Sequence, residues 1–267
     1  MARAAPRWSG APLGEPTDAP MIRTLGGTAR EPLDLPTGAA KTTQVRAMFD
    51  AIAPRYDLVN RVITFGLDRR WRSRTFEALG LPPGSRILDL ACGTGDLAAL
   101  AQRGGCRVVG SDLSSGMLSR RREPFAAVQA DAAALPFSPG SVDGILCGYA
   151  LRNFTDLEGC LAEAARILRA GGRLAILEVA APESKLLRRG FELWFARCVP
   201  AIGGLLSDPD AYRYLPRSTA YLPGETELRH LLEHAGFSTV GRQLLQGGLS
   251  QLITATRRGM PPNTDVR

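Results

Sequence analysis

Apolar and polar positions alternate along the chain in two periods, and the switches between them mark out its elements. Short apolar runs predict buried strands over 86–91, 107–111, 126–129, 142–148 and 173–180. Between them, apolar residues recur at helical spacing and predict helices over 95–103, 114–120 and 156–169. The last of these has the clearest pattern. Thr155 and Glu158 are spaced as a capping box, Leu157, Leu161, Ala164, Ala165 and Leu168 form one face, and Gly171-Gly172 predicts its stop. Ahead of the first strand, Val45, Met48, Phe49 and Ile52 predict a helix that Pro54 ends, and a second helix runs from Asp68, as N-cap, through Trp71, Phe76 and Leu79 to Gly80. Regular β–α alternation implies a parallel sheet covered on both faces. The pattern then changes: a helix over 224–235 precedes Phe237–Leu245 and Ser250–Arg257, which flank Gly247-Gly248 and predict an antiparallel hairpin.

The N-terminal 40 residues are rich in Pro, Gly, Ala and Arg without periodicity, and are expected to be disordered, as is the tail 259–267. Order is expected from near Thr42. The 267 residues are 45% hydrophobic, enough for one sizeable core. The net charge of +7 comes from a chain whose only lysines are Lys41 and Lys185. That arginine bias reads as a compositional habit rather than a nucleic-acid site, because no basic block with interleaved aromatics occurs. Five scattered cysteines contain no C-x-x-C pair, and His230 and His234 fit no metal motif, so no metal is expected. No apolar run is long enough to span a membrane, and the N-terminus lacks the apolar stretch of a secretory signal, which places the protein in the cytoplasm.

Chemistry enters at Ile87-Leu88-Asp89-Leu90-Ala91-Cys92-Gly93-Thr94-Gly95. Strand, glycine turn and helix open a nucleotide-binding βαβ unit, where glycine backbone lets a ligand approach closely. Gly93-x-Gly95-x-x-Ala98 fits a dinucleotide fingerprint, and equally the first motif of S-adenosylmethionine (SAM) methyltransferases, with Asp89 ending the strand. Asp112 ends the next strand, with Leu113 beside it, and suits the ribose hydroxyls. Asp131-Ala132 follows the third strand, where methyltransferases hold the adenine amino group; otherwise Asp131 is a turn residue. Gly148 ends the fourth strand, and Leu151-Arg152-Asn153 follows, placed toward a substrate; Arg152 is a substrate-facing group or half of a surface ion pair. The late hairpin and Asp131-Ala132 favour a class I SAM-dependent methyltransferase over an NAD(P)-binding oxidoreductase. A SAM-binding scaffold stays open as a further alternative.

Four segments resemble the ubiquinone/menaquinone biosynthesis C-methyltransferase family. They are Met48-Phe49-Asp50 through Arg55-Tyr56-Asp57-Leu58-Val59-Asn60 and on to Phe65-Gly66-Leu67-Asp68 and Trp71; Asp89 to Asp96; Leu151-Arg152-Asn153; and Tyr212-Arg213-Tyr214-Leu215 with Ser218. The chain departs from the family pattern at Gly148, Tyr149 and Ala150, at Val179-Ala180, and in the closing strand at Gln251–Thr254. The resemblance implies a methyltransferase domain over 41–258, with a helical cap (41–80) and a substrate lid (183–222). It implies SAM as cofactor, bound by Asp89, Gly93, Thr94, Gly95, Asp112, Leu113, Asp131, Ala132 and Gly148. The implied reaction is C-methylation of a polyprenylated quinol, demethylmenaquinol to menaquinol, with a benzoquinol or another small aromatic acceptor as alternatives. Tyr56, Arg152 and Asn153 are the candidates for handling the quinol oxygens and the proton. The stripe Leu187, Phe191, Trp194, Phe195 and Cys198 is either a helix packed on the core or a lid touching the isoprenoid tail or the inner face of the cell membrane. A homodimer is a further partner that this reading allows.

Overall fold

Hydrophobic alternation within the central strands sends neighbouring side chains to opposite faces of one sheet. In the computed structural model, residues 37–206, 214 and 216–259 are described. The strands are β1 (Arg86–Leu90), β2 (Arg107–Asp112), β3 (Ala126–Gln129), β4 (Val142–Gly148), β5 (Leu168–Val179), β6 (Phe237–Leu245) and β7 (Ser250–Arg257). They form a seven-stranded sheet in the order β3-β2-β1-β4-β5-β7-β6. β3 to β5 run parallel, and β7 is antiparallel to both of its neighbours. Leu88, Ile145 and Ile176 enter one core with Leu161, Ala164 and Phe237, while Ile87, Leu146 and Leu177 enter the other with Trp71, Leu79 and Leu97.

The helices are α1 (Gly38–Ile52), α2 (Tyr56–Ile63), α3 (Asp68–Leu79), α4 (Asp96–Arg103), α5 (Ser115–Leu118), α6 (Leu157–Ile167), α7 (Lys185–Leu193), α8 (Val199–Leu206) and α9 (Glu225–His234), with a π-turn, Trp194–Cys198, between α7 and α8. A third cluster joins the cap to the sheet: Ile52, Ala53 and Val59 pack on Met117 of α5 and Val199 of α8.

Several boundaries differ from the sequence expectation. α1 begins at Gly38, inside the stretch expected to be disordered; residues 1–36 and 260–267 lie outside the described residues. α2 was not foreseen. Asp68 is not the N-cap of α3 but its first residue, with its carboxylate accepting from Thr64 Oγ1 at 3.1 Å. The cap of α6 is Asp156, which accepts the Gly159 amide at 2.8 Å, whereas the Thr155 hydroxyl bonds to Thr42 at 2.8 Å across to α1. Gly171-Gly172 does not stop that helix. β5 starts at Leu168, opposite Val142, and the two glycines fall at a register shift before Gly144 meets Arg173.

The expected apolar stripe on 183–206 is split. Phe191 and Trp194 pack into the third cluster, while Leu187 faces solvent together with Leu186 and Leu193, which lie outside the expected stripe; the side chain of Phe195 is not among those described. Tyr212, Arg213 and Leu215 lie outside the described residues.

Candidate active site

A cavity of about 240 Å³ opens beyond the carboxyl ends of β1, β2 and β4, where open α/β sheets hold their ligands. Its floor carries two non-glycine residues in the left-handed region, Ala91 at φ 53° after β1 and Tyr149 at φ 61° after β4. Such conformations cost on the order of 1–3 kcal/mol and persist where surrounding packing enforces them. Tyr149 is held by its amide, which donates to the Leu177 carbonyl at 2.6 Å.

Asp112, Leu113, Asp131, Ala132, Gly148, Tyr56 and Asn153, all predicted from sequence, line this cavity. The Asp112 carboxylate accepts the Gly93 amide at 2.7 Å and the Ser114 amide at 2.9 Å. Burial pushes its carboxyl above the usual range, and these amide bonds oppose that rise. Asp131 caps its own turn by accepting the Ala133 amide at 3.0 Å, so it is both the turn residue and part of the lining. Asn153 accepts from the Tyr214 hydroxyl at 3.3 Å and donates to the Tyr149 carbonyl at 3.4 Å, which fixes its amide. Tyr56 packs edge-on against Phe49 at 6.0 Å, and burial raises its phenol above the ordinary value, so the hydroxyl stays neutral.

Four expected cofactor residues and one expected catalytic residue do not line the cavity. Asp89 is buried behind it and accepts the Ala98 amide at 2.8 Å, which fastens the start of α4 to β1. Burial lifts its carboxyl to about 7. Thr94 donates to Asp57 at 2.8 Å, and Arg122 reaches the other Asp57 oxygen at 2.7 Å, tying the glycine turn to α2. Gly95 is needed for another reason than ligand approach: it sits at φ 88°, and a Cβ there would lie 2.3 Å from the Phe125 ring. Gly93, at φ 55°, faces open space.

Arg152 is not in a surface pair. It is buried, its Nη1 donates to Glu178 Oε1, and its Nε donates to Ser218 at 3.2 Å. Glu178 Oε1 also accepts the Val179 amide at 2.8 Å, while Oε2 has no partner.

Sequence reasoning missed the α1 contribution. Thr42, Val45, Arg46 and Phe49 form one wall, and Asp50 accepts from the Ser114 hydroxyl and from the Gly116 amide at 2.9 Å. The helical spacing of Val45 and Phe49 was visible, but nothing local placed that face over β2. Ser111 also lines the cavity, with a buried hydroxyl that lacks a hydrogen-bond partner. The Asp112 carboxylate at the cavity wall and the open face of Gly93 fit a polar ligand carrying hydroxyl groups. Among the described residues, no group of three His, Cys, Asp or Glu side chains could hold a metal ion.

A second chamber of about 420 Å³ lies on the other side of Tyr149. Its walls are Ile63 from α2, Phe65 and Leu67 from the turn after it, Trp71 from α3, Leu186, Leu187 and Phe191 from α7, Trp194 from the π-turn, and Leu249 and Ser250 from the closing hairpin.

Sheet order, glycine turn and acidic strand ends together define a class I, SAM-dependent methyltransferase. Residues 37–257 match the ubiE/COQ5 methyltransferase family, and the chain belongs to that family. It is 40% identical over 220 residues to a demethylmenaquinone methyltransferase of Thermus thermophilus, covering 79% of this chain and 100% of that protein. It is 35% identical over 229 residues to the ubiquinone/menaquinone biosynthesis C-methyltransferase UbiE of Geobacter sulfurreducens, covering 81% of this chain and 90% of that one. In fold it is similar to a SAM-dependent methyltransferase structure from Thermotoga maritima, described as a possible histamine N-methyltransferase, with a TM-score of 0.57 and 21% identity over 80% of this chain and 100% of the other.

Proposed function

We propose that this chain transfers a methyl group from SAM to a ring carbon of a polyprenylated quinol, converting a demethylmenaquinol to menaquinol. The observation that carries the reading is the pairing of a cavity edged by Asp112, Asp131 and Asn153 with an apolar chamber, the two sharing one residue, Tyr149. The similarity to a demethylmenaquinone methyltransferase along that protein's whole length supports the quinol assignment.

SAM supplies an activated sulfonium methyl, so the protein's task is alignment and exclusion of water. Asp112 is the acceptor for ribose hydroxyls, Ser111 stands beside it, and Asp131-Ala132 borders the adenine end. Leu113 and Gly148 complete the cradle, while Asp89 fastens α4 to β1 and Thr94 ties the glycine turn to α2 behind it. The acceptor carbon becomes nucleophilic as a quinol hydroxyl loses its proton, and the ring C–H proton leaves after the methyl bond forms. Tyr56 and Asn153 are the polar groups of the cavity placed to hold the quinol oxygens. Arg152 acts through Glu178, Ser218 and the Leu151–Asn153 turn, positioning Asn153.

The chamber rim points to where the substrate comes from. Phe65, Leu186 and Leu187 are exposed there, and Lys185, Arg188 and Arg189 share α7 with two of them. Among the described residues, no helix is long and apolar enough to cross a membrane. This face suits contact with an anionic lipid surface at the inner side of the cell membrane, from which a long-tailed quinol is drawn. Flotation with anionic liposomes tests it: Leu186→Ser with Leu187→Ser lowers recovery if the rim is the contact and leaves it unchanged if it is not.

The reaction is tested by mass spectrometry of lipid products made with methyl-labelled SAM and two reduced acceptors, a demethylmenaquinol and a demethylated benzoquinol. Label on the naphthoquinol carbon supports the proposal, label on the benzoquinol alone moves the chain to the ubiquinone branch, and label on neither removes the activity.

A further inference from the structure

We infer that Tyr149 and Ser250 form a polar handle in the apolar chamber that selects an oxygen-bearing aromatic ring, making Tyr149 a specificity-determining residue for the acceptor. The inference rests on the quinol reading only for the identity of the natural ligand.

Among the described residues, Tyr149 is the one that lines both spaces. Its left-handed backbone turns the side chain out of the β4 direction. The phenol then reaches across to β7, where its oxygen lies 3.0 Å from Ser250 Oγ. Ser250 is the first residue of β7, buried and paired with Val179 on one side and Leu245 on the other, so the tether is anchored in the sheet. On the other side, the Arg72 guanidinium lies 5.6 Å from the ring centroid, itself bridged to Asp96 at 3.5 Å. The ring is held at its hydroxyl end by Ser250 and on one face by Arg72.

The chamber wall is otherwise dominated by Leu, Ile, Phe and Trp side chains. Apolar pockets gain orientation from a few fixed polar groups, because a buried donor left unpaired costs more than a matched one gains. Tyr149 and Ser250 present two hydroxyls with two protons between them, and their mutual bond uses one. The remaining proton is available to a ring oxygen at the inner end of the chamber. Burial holds the Tyr149 phenol far above its ordinary value, so it stays a neutral donor at physiological pH. Trp71 belongs to the same wall, and its indole N–H is buried without a hydrogen-bond partner. A hydrocarbon would leave the free proton of the Tyr149–Ser250 pair unmet, whereas a quinol or naphthol oxygen would accept it.

The test compares 1-naphthol with 1-methylnaphthalene, which share shape and differ in the oxygen. Binding is measured by titration calorimetry on the full chain saturated with S-adenosylhomocysteine. Wild type is expected to prefer the naphthol by about tenfold, the factor that a hydrogen bond worth roughly 1.4 kcal/mol supplies. Tyr149→Phe should bring the preference to within about twofold, and Ser250→Ala, which leaves the lining of the first cavity intact, should reduce it in the same direction. With quinol as acceptor, both variants should raise KM more than they lower kcat. Equal binding of the two probes by wild type, or an unchanged preference in both variants, overturns the inference. Absence of quinol methylation by wild type with the naphthol preference intact would instead sink the quinol reading and leave the handle standing.

Discussion

Replacing Arg152 by methionine removes the cation that Glu178 faces across a buried contact while keeping most of the side-chain volume. Glu178 is fully buried, its Oε1 would retain only the Val179 amide, and its Oε2 already lacks a partner. Taking one member from a buried ion pair costs roughly 3–5 kcal/mol, because the surviving charge stays desolvated. Against a domain stability of about 5–15 kcal/mol, that is a large fraction.

Urea unfolding measures this, with Glu178→Gln combined with Arg152→Met as the second arm. The double variant carries no charge in the pocket and should recover most of the lost stability. If Arg152→Met alone costs less than about 1 kcal/mol, the pair is not the buried electrostatic unit described here, since a surface pair contributes at most about that much. Methyl transfer by the double variant then separates two roles. Recovery of turnover with stability means that Arg152 acts by positioning the Leu151–Asn153 turn, whereas stability without turnover means that it meets the acceptor.

Three further outcomes follow from the site. Asp112→Ala should weaken S-adenosylhomocysteine binding by roughly 100-fold or more in calorimetry, as two hydrogen bonds to a carboxylate worth about 1.5–3 kcal/mol each are lost; a change under about threefold removes the ribose assignment. Asp89, raised to about 7 by burial, stabilises the fold most below its unfolded pKa of about 3.9 and loses that contribution as pH rises through 7. Asp89→Asn, which keeps an acceptor for the Ala98 amide, should flatten this slope of up to about 4 kcal/mol in pH-dependent melts, and an unchanged slope would assign it to another group. Gly95→Ala should destabilise by about 2–4 kcal/mol, through a left-handed alanine and a Cβ set against the Phe125 ring; Phe125→Leu in that background should relieve only the steric share, as seen in thermal unfolding.

Local information settled much of this protein. The apolar runs 86–91, 107–111, 126–129 and 142–148 and the closing hairpin fall within a residue or so of β1 to β4, β6 and β7, because strand period and glycine turns are properties of adjacent residues. The same holds for the glycine turn and the acidic strand ends, which sit where βαβ geometry must put them, and for the motifs that mark the family. Tertiary structure decided what each of these residues does. Asp89 and Asp112 look alike in sequence, yet one fastens α4 from behind and the other faces the cavity, since only packing sets which carboxylate meets solvent. Arg152 and Glu178 are 26 residues apart, and Tyr149 and Ser250 are 101 apart; no periodicity connects such partners, and sheet order alone brings them together. α1 became a wall of the site for the same reason, through Asp50 meeting Ser114 across 64 residues. Sequence names the side chains with chemistry to offer, and burial with long-range pairing determines which of them remain free to use it.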